Sequence, residues 1–534
     1  MPPRRSARVV AHDPIILPGF GTQKDLARLT EELGDLPESA VEAVMRSEGG
    51  AAASCWADFM AEEGVAVDEA PAPAAAETTK RTYTFQKDTK KTKKSKPNAG
   101  VLVQAGTLDV TLVGRTKFQA NATYHLPVPT RLPLLVTRVF TASHAVHTLA
   151  VGADGTTYGW GRNETGALGS DLPTNVFWPT ALKLPGSSLK QAACGKGHTV
   201  ILLEDDGVWS VGSNKSGQCG VRTYTDVPQW RSAPLPDDVQ IAQIACGEDF
   251  TVALDTEGRL YTTGSSEHGQ LGNGETGEYF IAANKLAFAN CNVLTQRTTF
   301  CHAPGEKLHG SSDSHIKIVP LEETDIRLQA IACGKHHTVA VEACSEQKPR
   351  VFTWGSGDYG CLGHGVQAPE YFPRLVGALS LLTKAQLSSD LKLAAGARCN
   401  LLQTSNGHVY YWGKHRSMGE AVMRPQLVDV LANNQHEVLH VGAGSQSVVC
   451  STSLAQTVAW GQGPHGELGL GTVKSSSKPT FVEPLNGCQV MDLACGYGNT
   501  VYVLQNDTEE EKNAVAKLPE VQESDVDLLA KRLG

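Results

Sequence analysis

The 534-residue sequence lacks any uninterrupted apolar stretch of the length that crosses a membrane as a helix, so it contains no candidate for a membrane-spanning segment. It has 13 cysteines but no Cys-x-x-Cys pair, which argues against a structural zinc site. It also lacks the basic and apolar regions of a secretory leader at its start. We therefore expect reduced cysteines that pack as small core residues of an intracellular protein.

Aromatic residues are scarce, at 6%, whereas glycine is abundant. The 53 glycines make up about 10% of the chain, against a usual share of about 7%. Hydrophobic residues account for 41% and charged residues for 19%, which is typical of a chain with a sizeable core. Many glycines in such a chain predict many tight turns, and hence many short strands.

The net charge of −9 is unevenly distributed. Residues 1–79 are acidic and contain Ala and Pro, residues 80–99 are basic, and the remainder is acidic again. An acidic body argues against a broad nucleic-acid-binding face, because phosphate contacts need clusters of Lys and Arg. The basic linker is the one candidate for such a contact or for a nuclear-import signal, and a solvated linker is the alternative. Its candidate residues are Lys90, Lys91, Lys93, Lys94 and Lys96.

The N-terminal tail, residues 1–79, contains short helical patterns that either dock on a folded surface or form only transiently. Arg4, Arg5 and Arg8 are reminiscent of a mitochondrial transit peptide, but acidic residues follow from Asp13 onward. We therefore expect the nucleus and cytoplasm, rather than the mitochondrion, as the location.

Residues 100–505 are built from self-similar units of about 50 residues. Each unit opens on a Cys-Gly-x-x-His-Thr pattern or a weaker copy of it. A second strand follows and ends in a pair such as Trp160-Gly161, usually before a Gly-x-Leu-Gly turn. Such a unit predicts a small antiparallel sheet. The seven openings lie at Ser143, Cys194, Cys246, Cys333, Ala395, Ala443 and Cys495.

The count of half-units predicts a closed ring. The seventh opening, residues 495–504, has no second half after it, and residues 101–115 form a second half with no opening before it. Joining them gives seven blades, and closure removes exposed sheet edges. The predicted fold is all-β: a seven-bladed β-propeller closed by a composite N- and C-terminal blade. Irregular, partly helical extensions flank it, including a C-terminal tail over residues 506–534.

One connection is much longer than the others. From the turn glycine to the next opening, the third unit has 61 residues, whereas the other intervals have 24 to 32. We predict an insertion at 273–328, a β-like excursion projecting from one face of the ring, and interpret it as a partner-binding loop. A tolerated surface insertion is the alternative. The candidate contact residues are Phe280, Leu286, Phe288, Val293 and Leu294.

Patterns that resemble cofactor-binding or catalytic motifs are explained by the repeat. Residues 355–360 and 461–466 match G-x-G-x-x-G, but a turn and a strand follow, whereas a dinucleotide site needs a helix there. His147, His198 and His337 share one repeat position with Phe, Cys, Ser and Asn in other units. We interpret them as semi-buried residues bonded to a neighbouring turn. We therefore expect no catalytic chemistry, no cofactor and no metal.

The combination of Cys-Gly-x-x-His-Thr with Trp-Gly-x-x-x-x-Gly-x-Leu-Gly resembles the regulator-of-chromosome-condensation repeat family, whose fold is a seven-bladed propeller. Residues 269–283 and 509–520 resemble its telophase-disc-type branch, although residues 415–419 lack the Gly-x-Leu-Gly turn. The resemblance implies a guanine-nucleotide exchange factor-like regulator that binds a small GTPase and is linked to chromosomes or the mitotic apparatus. Chromatin or microtubule-associated proteins are further partners to expect, and no membrane. The alternative is a non-catalytic propeller scaffold for protein assembly.

Overall fold

The computed structural model describes residues 98–108, 125–186, 188–205, 207–275, 278–282, 285–302, 306–307, 316–317, 320–321, 325–343, 348–388, 390–415, 419–433, 437–522, 524 and 526. The predicted tail helices and the basic linker residues up to Lys96 lie outside this set. Within it, none of the helices has the length and apolar character needed to span a bilayer.

Short strands account for most of the ordered structure. They are β1 Gly100–Thr107, β2 His125–Phe140, β3 His147–Gly152, β4 Thr157–Arg162, β5 Asn175–Ala181, β6 Leu189–Cys194, β7 His198–Leu203, β8 Val208–Gly212, β9 Val227–Ser232, β10 Ile241–Cys246, β11 Phe250–Asp255, β12 Leu260–Gly264, β13 Glu278–Ala282, β14 Lys285–Phe288, β15 Cys291–Arg297, β16 Glu306–Lys307, β17 Ile316–Lys317, β18 Leu328–Cys333, β19 His337–Glu342, β20 Val351–Gly355, β21 Glu370–Leu375, β22 Lys392–Ala395, β23 Cys399–Gln403, β24 Val409–Gly413, β25 Val422–Leu427, β26 Val438–Ala443, β27 Ser447–Thr452, β28 Thr457–Gly461, β29 Ser476–Phe481, β30 Val490–Cys495 and β31 Asn499–Leu504.

Helices are few and short among the described residues. The α-helices are α1 Asp429–Asn433 and α2 Glu509–Ala516. The 3-10 helices are Asp358–Gly360, Gly377–Leu381, Ala385–Leu387 and Glu483–Leu485. The small number of helices, beside so many strands, confirms the predicted all-β fold.

The strands form blades of four antiparallel strands each. Five separate four-stranded sheets make blades 2 to 6: β6–β9, β10–β12 with β15, β18–β21, β22–β25 and β26–β29. A seven-stranded sheet holds the other two blades, because the long strand β2 serves both. Its first part pairs with β1, and its last residues, from Val136 to Phe140, pair with β3 of blade 1.

The composite blade is confirmed. Strand β1 lies between β31 and β2, and its pairing with β31 runs from Val101 opposite Leu504 to Gly106 opposite Asn499. The innermost strands β2, β6, β10, β18, β22, β26 and β30 contact one another in that order, and β30 also contacts β2. The first strand of the domain is thereby joined to the last, so no sheet edge is left open between them.

The core lies between the blades. The second strand of each blade packs on both faces, so β7, for example, is buried at every position from His198 to Leu203. All eleven cysteines in the described part of the chain are free; ten are buried and Cys291 is half-buried. Four of them occupy one repeat position at the ends of first strands: Cys194, Cys246, Cys333 and Cys495. The prediction of reduced core cysteines is confirmed for these residues.

The long connection after blade 3 divides into two parts, contrary to the single excursion that the spacing predicts. Strand β15 pairs with β12, from Leu260 opposite Arg297 to Gly264 opposite Cys291, and completes blade 3. The hairpin β13–β14 therefore lies between the third and fourth strands of that blade. The second part, after β15, runs along blade 4, where the Cys301 amide donates to the Pro373 carbonyl at 2.9 Å.

The C-terminal extension packs against the composite blade. Helix α2 begins with a capping box between Thr508 and Glu511. Behind it, Leu518 is buried in a cluster with Tyr502 and Leu504 of β31. The chain then runs beside β2, where the Arg131 amide donates to the Pro519 carbonyl at 2.8 Å. This segment covers the outer edge of the blade that closes the ring.

Leu518→Ala is expected to lower the free energy of unfolding by about 2–4 kcal/mol, because it leaves a cavity between the extension and the composite blade. The matched control is Leu381→Ala, since Leu381 is 79% exposed and its truncation is expected to cost about 0.5 kcal/mol or less. Urea unfolding followed by circular dichroism measures both. Equal midpoints for the two variants would show that the extension does not stabilise the ring.

Candidate functional site

One face of the ring carries two features that are not part of the repeated blade: an inserted hairpin and a cluster of charged residues around the central channel. In blade 3, Phe250 at the start of the second strand lies opposite Gly264 at the end of the third. The first-to-second and third-to-fourth connections of a blade therefore leave on the same face. We call this the loop face; it carries the hairpin β13–β14 and the residues around the end of the central channel.

Main-chain hydrogen bonds link the first-to-second connections of several neighbouring blades. The Lys196 amide donates to the Glu248 carbonyl at 3.1 Å, and the Glu248 amide donates to the Lys335 carbonyl at 3.0 Å. The Tyr497 amide of the composite blade donates to the Ala145 carbonyl of blade 1 at 3.3 Å. These bonds fix the positions of the connections relative to one another, so the side chains they carry are preorganised.

The connections surround a cavity of about 410 Å³, which we call the channel mouth. It is lined by Ser143, His144, Val146, Lys196, Glu248, Lys335, Tyr359, Ala397, Arg398, Lys414, His415, Ser445, Gln446 and Tyr497. Burial lowers the pKa of His144 to about 4, so that imidazole is neutral at pH 7. Four basic side chains and a single carboxylate therefore set the charge of the lining.

That carboxylate, Glu248, bridges three neighbours. It pairs with Lys196, with Lys335 Nζ at 3.0 Å and with His336 Nε2 at 3.3 Å. Burial opposes its ionisation, but the hydrogen bonds and charges of the two lysines prevail and lower the pKa of Glu248 to about 2. Glu248 thus remains ionised at pH 7 and holds two lysines from different blades at the channel mouth.

Elsewhere in the lining of the channel mouth, two cations lie close to one aromatic ring. The Arg398 guanidinium lies 4.8 Å from the centre of the Tyr359 ring, and Lys414 Nζ lies 5.0 Å from it. Tyr359 itself has a φ of +57°, a left-handed conformation that is costly for a residue with a side chain. The Tyr359 amide donates to Gln367 Oε1 at 3.1 Å, which holds this turn in place.

The repeated histidines connect blades. His147 Nε2 lies 2.7 Å from Thr199 Oγ1, and His337 Nε2 lies 2.8 Å from Asn400 Oδ1, each in the next blade. The Thr199 hydroxyl then donates to the Ala167 carbonyl of the preceding turn at 2.6 Å. These histidines are fully buried, so the prediction of semi-buried residues was wrong, and they are linked to the neighbouring turn through the next blade's side chain.

Of the predicted partner-binding residues, three lie on the hairpin. Phe280 is in β13, and Leu286 and Phe288 are in β14. The register places Phe280 opposite Leu286 and Glu278 opposite Phe288. The side chains of Phe280 and Leu286 lie outside the described set, and Phe288 is half-buried.

The base of the hairpin is tied to blade 2. The Tyr224 hydroxyl donates to the Asn290 carbonyl at 2.7 Å, and the Arg222 amide donates to the Asn292 carbonyl at 2.8 Å. The hairpin therefore starts from fixed points on the loop face. Because it interrupts blade 3 alone, it is the feature that most clearly breaks the pseudo-symmetry of the described blades.

Val293 and Leu294 belong to the blade itself, so their placement in a projecting loop was wrong. Both lie in β15, where Leu294 is buried in a cluster with Ile244 and Tyr261. Val293 forms an isolated bridge with Val221 of blade 2. Their apolar character serves packing between blades 2 and 3.

The other predicted site, Lys90, Lys91, Lys93, Lys94 and Lys96, lies outside the described residues, and its role stays a prediction. Sequence reasoning missed the channel mouth. Some of its side chains, such as Lys196, Glu248 and Lys335, occupy the variable positions of the Cys-Gly-x-x pattern. Others, such as Tyr359 and Lys414, lie in the connections that follow the third strand of a blade. The available signal was that these positions carry charge in several units of an otherwise acidic domain.

Comparison with known proteins supports the repeat assignment. The model of the regulator of chromosome condensation (RCC1) repeat matches residues 154–202, 205–254, 350–389 and 459–503, and a second model of the same repeat matches 189–218 and 241–270. Protein RCC2 homolog from Xenopus laevis is 31% identical over 389 residues, covering 72% of this chain and 72% of the relative. Protein RCC2 from Homo sapiens is also 31% identical, over 72% of this chain and 70% of the relative.

A similar solved structure is that of Prp20p from Saccharomyces cerevisiae, studied together with its binding properties to Gsp1p and histones. It has a TM-score of 0.56 and 18% identity, and the match covers 82% of this chain and 95% of that one. This likeness concerns the fold. With the repeat matches, the identity to RCC2 proteins and the seven blades, the chain belongs to the regulator of chromosome condensation (RCC1) repeat family.

Proposed function

We propose that this chain is a guanine-nucleotide exchange factor-like regulator that binds a small GTPase through its loop face. The observation that carries the proposal is the hairpin β13–β14, which adds a separate two-stranded element to a preorganised face. The fold is shared with Prp20p, whose binding properties to Gsp1p have been studied.

An exchange factor makes and breaks no covalent bond in its partner. It binds the GTPase most tightly when the nucleotide is absent, and by thermodynamic reciprocity this weakens the binding of the nucleotide. Such a mechanism needs a rigid surface that does not adapt equally well to both states of the GTPase. The main-chain hydrogen bonds between neighbouring connections support that requirement, and the hairpin supplies a second point of contact.

The clean test replaces residues 278–288 by a Gly-Ser-Gly linker in the full chain. A wider deletion, such as 278–325, would also remove β15 and the buried residues Phe300 and Cys301, and would damage blades 3 and 4. The matched control replaces residues 308–315, which belong to the second part of the same connection. Unaltered thermal unfolding of both variants would establish that the ring is intact.

Tagged chains are used to capture partners from cell extract in two buffers, one with EDTA and one with Mg²⁺ and excess GTP. We expect a small GTPase to be retained in EDTA and released by Mg²⁺ and GTP, and its retention to fall at least about tenfold in the hairpin variant but not in the control. Release of a fluorescent guanine nucleotide from the captured GTPase then measures exchange. Partners that are indifferent to nucleotide, with no GTPase among them, would overturn the proposal in favour of a scaffold.

We further propose that the chain acts in the nucleus and cytoplasm and is linked to chromosomes or the mitotic apparatus, with chromatin or microtubule-associated proteins as further partners. The study of Prp20p with histones and the basic run at 90–96 support this part of the proposal. The run carries the density of lysines that a nuclear-import signal or a phosphate contact needs.

A further inference from the structure

We propose that the channel mouth is a binding site for a compact organic polyphosphate. The site is formed by Lys196, Lys335, Arg398 and Lys414 around the cavity of about 410 Å³. This proposal concerns a small ligand and does not depend on GTPase binding.

The lining of the channel mouth has an excess of positive charge. Four basic side chains face one carboxylate in the lining, although the whole chain carries a net charge of −9. A concave site lined by one sign of charge concentrates the field and attracts the opposite sign. The carboxylate, Glu248, is already bonded to Lys196 and Lys335, so it orients these two lysines and leaves the cavity with an excess of positive charge.

Two of these cations lack an acidic partner. Among the residues that the structure describes, neither Arg398 nor Lys414 has a carboxylate within 4.0 Å. Both lie over the Tyr359 ring instead. Neighbouring like charges are unfavourable without a counter-ion, so this arrangement favours binding of an anion beside them.

The backbone is strained at the same place. Tyr359 adopts a φ of +57°, and only two other non-glycine residues in the described chain, Arg222 and Ala455, have a positive φ. Strained residues persist where the surrounding structure fixes them and cluster at ligand sites. Here the strained turn carries the aromatic ring that both unpaired cations contact.

The shape of the site selects the ligand class. The cations come from blade 2, blade 4 and blade 5, so they converge on one cavity from different directions. A compact molecule with phosphates on several sides can meet all of them, and Arg and Lys are the side chains that bind phosphate best. An acidic peptide presents its carboxylates along a line, which suits a groove better than this cavity.

The probe is inositol hexakisphosphate, measured by isothermal titration calorimetry on the full chain. The chain carries Lys90→Gln, Lys91→Gln, Lys93→Gln and Lys94→Gln, so that the basic linker does not bind the probe. We expect one bound molecule per chain and affinity at least about tenfold weaker in Arg398→Gln/Lys414→Gln. Lys474→Gln/Lys478→Gln, at two exposed lysines away from the channel mouth, is expected to bind like the parent.

Arg398→Lys/Lys414→Arg preserves both charges and is expected to retain binding, which separates loss of charge from loss of fold. Absence of binding to the parent would overturn the proposal. Equal weakening in the two Gln pairs would do the same, because it would reveal non-specific attraction. Tighter binding of a hexaglutamate peptide than of inositol hexakisphosphate would replace the polyphosphate by an acidic protein segment.

Discussion

Gly106→Ala is expected to lower the free energy of unfolding by about 3 kcal/mol or more, because it separates the two strands that close the ring. Gly106 has a φ of +109°, and an added Cβ would lie 2.3 Å from the Gly498 carbonyl oxygen and 2.6 Å from the Asn499 Cα. Both atoms belong to the backbone at the start of β31 and cannot rotate away. Strand β1 would have to move from its partner, and the composite blade would open.

The matched control is Gly155→Ala. Gly155 also has a positive φ, +89°, but a Cβ there would meet nothing within 4 Å. Its substitution therefore costs only the left-handed conformation, about 1 kcal/mol. Chemical denaturation with both variants isolates the steric part of the effect. Equal losses of stability would mean that the ring tolerates displacement of β1 and that the composite blade is not its critical joint.

Glu467→Gln is expected to remove a large pH dependence of stability. Glu467 lies in the turn of blade 6 and is 2% exposed, and burial raises its pKa to about 8. In the unfolded chain the pKa is about 4.5, so between these values the folded state binds one proton more than the unfolded state. Stability is therefore present in full below pH 4.5 and is lost as the pH rises through 8, by on the order of 4 kcal/mol.

The glutamine variant keeps a neutral acceptor for the His465 amide, which donates to Glu467 Oε2 at 2.8 Å. It is expected to match the wild type near pH 5 and to exceed its stability near pH 9. Unfolding midpoints across this range measure the difference between the two proteins. Glu420→Gln, at an exposed carboxylate, serves as the control and is expected to leave the pH profile unchanged. The same slope in wild type and Glu467→Gln would contradict the prediction.

The repeat architecture could be predicted because its determinants are local. Each blade consists of neighbouring strands joined by short turns, and the apolar alternation and glycine pairs that form them lie within about 50 residues. The composite blade followed from counting halves, and the pairing of β1 with β31 confirms it. The spacing rule failed at blade 3, since β15 carries no repeat motif and is recognisable only by its pairing with β12. The hairpin had displaced that strand along the sequence.

The repeated histidine position shows what the sequence could indicate and what required the folded ring. Its recurrence in different units indicated a structural role, but not its partner. His147 bonds to Thr199 and His337 to Asn400 because the blades are rotated against each other around the axis, which brings the start of one second strand beside the next. A residue about 50 positions away in sequence becomes an immediate neighbour only after the ring forms.

The family, the number of blades and the closure of the ring could be inferred from the sequence, because these depend on local patterns and on their count. Only the folded structure revealed that Val293 and Leu294 belong to a blade strand, that the hairpin shares a face with the channel mouth, and that Arg398 and Lys414 meet at Tyr359. A site at the centre of a ring takes its residues from separate blades. Blades 2 and 4 each contribute an ordinary lysine and blade 5 contributes an arginine and a lysine, and the concentration of charge arises when closure brings those residues to one cavity.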